Sequence, residues 1–231
     1  MSRNRVVHHR QVHQRPVRQP SVQPSPVRQE VLADEINRLV GLFSHGRYLE
    51  AENLARSMTE RFPAHGFGWK ALGAILKQQG LGVEALAPMQ KAAELLPGDA
   101  QAHSNLGGLL QELKRFEEAE ASYRHALRIK PDFAEAHYNL GNLLKELKRF
   151  EEAEASCRHA LRVKPGFAEA HSNLGNLLKE LKRFEEAEAS YQHALRAKPD
   201  YAEAHSNLGI LLQELKRFEE AEKGQGITLF K

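Results

Sequence analysis

The chain has 231 residues, with 33 Lys or Arg against 30 Asp or Glu and a net charge of +3. A single cysteine, Cys157, excludes an internal disulfide framework, and no apolar run is long enough to span a bilayer. The charge is unevenly placed: residues 1–29 carry six arginines and no acid, so they hold +6 and the remainder −3.

Residues 1–31 read as a disordered basic arm rich in Arg, Gln, His and Pro. Pro16, Pro20, Pro24 and Pro26 oppose a continuous helix there, and the apolar centre of a secretory signal is missing. No aromatic residues interleave the basic ones, so no specific nucleic-acid partner is expected.

From residue 32 the chain is periodic. AEAHYNLGNLLKELKRFEEAEASCRHALRVKPGF, starting at Ala134, is followed at once by a near copy ending at Tyr201. Asn105, Asn139, Asn173 and Asn207 recur every 34 residues, as do Pro131, Pro165 and Pro199. Such a period marks a stacked helical array. The units are 32–65, 66–99, 100–133, 134–167 and 168–201, with a partial sixth at 202–222 and a divergent tail at 223–231.

Each unit predicts a helical hairpin. In 134–167, Leu140, Leu143, Leu144 and Leu147 lie on one helical face. Lys148 and Arg149 suit a helix end, and Glu151, Glu152 and Glu154 suit the start of the next. Ala153, Cys157, Ala160, Leu161 and Val163 form its apolar face, and Pro165 ends it. Asp132 is the expected cap for the first helix, with Glu135 completing a capping box; Gly166 should weaken that cap one unit later. Neither helix buries its stripe alone, so units must stack. In the divergent first unit, Leu39, Leu42 and Phe43 form the inner stripe, Gly46 the turn, and Pro63 the stop.

The sixth unit departs from the template where KGQGITLFK replaces the second helix. Gly224 and Gly226 should stop a helix after about one turn. Leu208, Leu211, Leu212 and Leu215 would stay partly exposed, as at an interface or in an incomplete protein. The expectation is a truncated reading frame or a fragment of a longer chain.

Trp69, Leu72, Gly73, Gly80, Ala85, Ala92 and Pro97, with their later counterparts, resemble the tetratricopeptide repeat over about 32–222. That resemblance implies an all-α, right-handed α-solenoid whose first helices line a concave groove. FGWKALGAILKQQG and the stretch before it are similar to the repeat arrays of bacterial proteins of the SPINDLY and O-linked N-acetylglucosamine transferase type. In those transferases an asparagine ladder holds the protein substrate. By resemblance the ladder here is Asn105, Asn139, Asn142, Asn173, Asn176 and Asn207. Asn37 shares its register and Ala71 interrupts it. Each amide offers both a donor and an acceptor to a peptide backbone.

The expected function is a protein-interaction scaffold that binds an extended peptide or partner protein. The alternative is the substrate-recruiting part of a glycosyltransferase that lacks its catalytic domain. A carboxylate clamp could use Lys70, but Glu135, Glu169 and Glu203 occupy inner positions where a cation is wanted. His103, His137, His171 and His205 are expected between helices, and His125, His159 and His193 facing solvent. Copies one repeat apart cannot share a metal. The chain is therefore expected to act without a cofactor, metal or catalytic pair, in the cytoplasm. Cys157 reads as a structural thiol. The oligomeric state is open at this level.

Overall fold

The computed structural model describes the backbone of residues 26–228 and the side chains of residues 32–216. Its helices pair in order: α1 (Pro26–Ser44) with α2 (Tyr48–Arg61), α3 (Gly66–Gln78) with α4 (Gly82–Leu95), and α5 (Ala100–Glu112) with α6 (Phe116–Ile129). Then come α7 (Ala134–Glu146) with α8 (Phe150–Val163), α9 (Ala168–Glu180) with α10 (Phe184–Ala197), and finally α11 (Ala202–Thr228). No strand occurs among the described residues. The molecule is an all-helical repeat solenoid, each helix packed on the next in the chain.

The core is a ribbon. Leu140, Leu143 and Leu144 of α7 are buried in one cluster with Ala153 of α8, while Cys157 of α8 is buried with Leu174 and Leu178 of α9. Full burial of one leucine contributes about 1.5–3 kcal/mol, so the stripe supplies most of what holds a hairpin. Glycine makes the close approach possible. A Cβ on Gly175 would lie 2.6 Å from Tyr191, and one on Gly141 would lie 2.8 Å from the Cys157 sulfur. Burial pushes the Cys157 thiol up to about 11, so it stays protonated and inert at neutral pH.

Several sequence expectations are corrected. Asp132 does not cap α7: the residue before that helix is Phe133, and no side chain caps its N-terminus. Phe133 and Phe167 are instead buried between units, so the position is spent on packing. The weaker cap expected at Gly166 therefore has no stronger counterpart at Asp132. One unit earlier the aspartate falls one residue later: Asp99 accepts from the Ala102 N–H at 3.0 Å and caps α5.

The arm expected at 1–31 loses its last residues to α1, which begins at Pro26, where proline suits a first turn. Its residues 1–25 lie outside the described residues, as do the last three of the tail. Gly224 and Gly226 do not stop α11, which runs unbroken to Thr228. In the repeats, the turn puts Lys114, Lys148 and Lys182 at positive φ, a conformation costing a non-glycine residue about 1–2 kcal/mol. A second helix packing back offsets that cost; a helix that continues past Lys216 avoids it.

Candidate functional site: the inner groove

The two rows of helices are not equivalent. Each first helix touches the first helix of the next unit: α1 with α3, then α5, α7, α9 and α11 in succession. Among the described residues, no second helix touches another second helix at backbone distance. The first helices therefore form the inner wall, where the radius is shorter. Long charged side chains span the wider outer row: Arg149 donates to Glu120 at 2.8 Å and to Glu152 at 2.7 Å, and Arg183 donates to Glu154 and Glu186 at 2.7 Å.

Along the inner wall the chemistry changes in three zones. At the α1–α3 end, Leu39, Val40, Phe43, Phe67, Ala71, Ala74 and Asn105 surround an apolar pocket. Val40 is 53% exposed and Phe43 36%. Phe43 was expected in the inner core stripe; it also lines this opening.

The middle zone is polar and charge-balanced. Gly108, Gln111, Lys77, Lys114, Glu112, Glu146, Tyr123 and Asn139 line it. Lys77 pairs with Glu112 at 2.8 Å and Lys114 with Glu146 at 2.8 Å. Lysine and glutamine donors hold the Glu146 carboxyl below its usual range. Tyr123 donates to Gln111 at 3.2 Å, and burial pushes its phenol well above the usual value.

The third zone carries the amides. Asn173 donates to Asn142 at 2.7 Å, across the α7–α9 junction. Tyr191 donates to Asn176 at 2.7 Å, and burial raises that phenol to about 12. Further back, Gln101 donates to Asn105 at 2.7 Å. Asn139 and Asn207 make no side-chain hydrogen bond among the described residues. All six asparagines are half-buried. The structure thus joins Asn142 to Asn173, gives Asn105 and Asn176 local partners, and leaves Asn139 and Asn207 open.

Sequence reasoning missed the apolar and mixed-charge zones. The signal was present: Val40, Ala74 and Gly108 occupy the register of Asn142 and Asn176. Reading the departures from the ladder would have found them.

Other candidates resolve differently. Lys70 is bound to Asp99 at 2.6 Å. Burial opposes the Asp99 charge, but the ammonium and the Ala102 N–H outweigh it and hold the carboxyl below its usual value. Lys70 is therefore already neutralised as a clamp residue. The two histidine sets are not segregated. His137 stacks on His159 at 3.8 Å, His103 on His125 at 4.1 Å and His171 on His193 at 5.1 Å. His159 and His125 are thus only partly solvent-facing. His137, His171 and His205 bond the carbonyls of Pro131, Pro165 and Pro199 at 2.8 Å, as the Trp69 indole does to Pro63 at 2.9 Å.

Comparison with known proteins agrees with this geometry. Residues 109–148 and 175–216 match the family model of the TPR repeat, and 134–167 match the tetratricopeptide repeat. The matched stretches, 109–167 and 175–216, are therefore similar to tetratricopeptide repeats. Among solved structures, it is similar to PilF of Pseudomonas aeruginosa, with a TM-score of 0.71 and 20% identity over 89% of this chain and 100% of that one. MamA gives a TM-score of 0.65 and 20% identity over 70% and 95%. YrrB, described as a TPR protein with an unusual peptide-binding site, gives 0.63 and 20% over 74% and 89%. At these identities the likeness is one of fold. No curated protein matches the sequence. Among the described residues no helix is long and apolar enough to cross a membrane, and no cluster of three metal-ligating side chains occurs.

Proposed function

We propose that this protein is an interaction scaffold that holds an extended peptide, or an extended segment of a partner protein, in its inner groove. The asparagine row grips the peptide backbone. The observation that carries this reading is the succession of first helices along the inner wall, with Asn139 and Asn207 half-buried and free of side-chain partners among the described residues. Adjacent helices pack about 8–10 Å apart, and three extended residues cover about 10 Å, so one repeat meets one backbone amide of each third residue. YrrB's description as a peptide-binding TPR protein supports the same use of the fold. The reading rests on the groove and stands without the transferase resemblance.

Each backbone hydrogen bond contributes about 0.5–1.5 kcal/mol net, so the ladder by itself gives micromolar to millimolar affinity, on the order of −4 to −8 kcal/mol. The test is selection of peptides from a random display library on the intact chain. Replacing Asn139, Asn173 and Asn207 with Ala should weaken the selected peptides at least about tenfold by calorimetry, with the helical fold retained by circular dichroism and stability lowered only by the lost Asn173–Asn142 bond, about 0.5–1.5 kcal/mol. Equal affinity for both proteins would remove the ladder from the mechanism.

A further inference from the structure

We propose that the α1–α3 end of the groove takes one large apolar side chain of the peptide that the ladder holds, and so sets which peptides bind. This rests on the reading above and adds selectivity to it. A backbone-gripping ladder accepts any extended sequence. Here the ladder register is broken: Ala71 stands where later units have asparagine, and Val40 and Ala74 stand in the register of Asn142 and Asn176. The result is an apolar pocket lined by Val40, Phe43, Phe67, Ala71 and Ala74. Large apolar side chains left open to water on a concave surface mark a contact site.

Size and continuity point to the occupant. The pocket holds about 180 Å³, below the roughly 300–1,000 Å³ of small-molecule sites, and sized for one side chain. A stable dimer needs roughly 800 Å² from each partner, far more than one side chain's seat. Asn105 lines this pocket and stands one unit before Asn139 in the ladder register, so a backbone held at Asn139 and running along the inner wall leads to the opening. Lys70 also lines the pocket, with its charge already met by Asp99, so no unpaired cation selects against an apolar group. The occupant is an aliphatic or aromatic residue of the extended peptide. Asn139 lies two units beyond α3, which places the anchor about six residues from the position that Asn139 holds.

The test uses random peptides displayed against the full chain, and against Val40→Asn/Ala74→Asn, which gives the pocket the side chains of later units. Val40→Glu, at an exposed site, serves as a second variant, with folding checked by circular dichroism. The wild type should enrich Leu, Ile, Phe or Met at one fixed position. A selected peptide should bind both variants at least about tenfold more weakly, while its anchor-to-Ala form should bind wild type and variants alike. Three results overturn the proposal. One is equal enrichment by wild type and variants while Asn139→Ala/Asn173→Ala/Asn207→Ala abolishes binding, which leaves the ladder standing. Another is a concentration-dependent dimer, seen by light scattering, that the pocket variants dissolve. The third is apolar enrichment seen only after residues 1–25 are removed. If no peptide is selected by any form, the groove reading fails and this proposal with it.

Discussion

Three lysines in this protein occupy a conformation suited to glycine. Lys114, Lys148 and Lys182 have φ of 58–60°, at the turn where the first two units place Gly46 and Gly80. The left-handed region costs a side-chain-bearing residue about 1–2 kcal/mol, part of which glycine returns through its freer unfolded chain. Lys148→Gly and Lys182→Gly should therefore each stabilise the protein by about 0.5–1 kcal/mol, read as a higher urea midpoint. The histidine pairs make a pH prediction. Burial holds His103, His137 and His171 below the ordinary imidazole value of 6.5, with stacked partners and nearby arginines adding to it. A lowered folded value means that the unfolded chain takes up protons first. The stability is therefore complete above 6.5 and falls as pH drops below it, until the folded imidazoles also protonate. Melting temperature should decline between about pH 6.5 and 5, and less steeply in His103→Gln/His137→Gln/His171→Gln.

Helix pairs are set by where a glycine meets the large side chain of the second helix, Tyr123, Cys157 or Tyr191. A Cβ at Gly175 would strike Tyr191, whereas one at Gly209, the same register in α11, meets nothing within 4 Å. Gly175→Ala should cost about 1–3 kcal/mol through overpacking. Gly209→Ala should be neutral or gain up to about 1 kcal/mol of helix propensity. Chemical denaturation of the two variants separates them. Gly108 is a third case: an added Cβ would sit 3.6 Å from Lys77 and from the Tyr123 hydroxyl, ordinary contact. Gly108→Asn should fold normally and fill the mixed-charge zone with the amide found at Asn142 and Asn176. A fall in melting temperature beyond a degree or two would show the site to be tighter than this.

As a whole, the molecule is a curved ladder with different fastenings on its two sides. Inside, first helices meet directly; outside, Arg149 and Arg183 reach across between second helices. Their carboxylate partners Glu120 and Glu154 are well shielded, with side chains only 13% and 15% exposed, and the arginines themselves are raised above their usual range. In a solenoid, stability is a sum of unit and neighbour terms. Arg149→Ala with Arg183→Ala should weaken the neighbour terms and broaden the unfolding transition. Salt near 1 M shortens electrostatic reach to about 3 Å, so the difference from wild type should shrink there.

The sequence by itself determined the period, the hairpin, the helical faces and the register of the asparagines, because all four follow from spacing along one chain. Gly141 and Gly175 could be read as close-approach positions for the same reason. Tertiary structure decided the rest, because partners across a solenoid depend on how far apart its units stand. It buried Phe133 where a polar cap was expected, stacked His137 on His159, tied Asn142 to Asn173 and left Asn139 open. It also let α11 run on without a turn, since a turn through left-handed lysine forms only when a packed second helix offsets its cost. The apolar pocket belongs to the same class: Val40, Phe43 and Phe67 are ordinary core residues by composition, and only the curvature of the inner wall leaves them facing the groove.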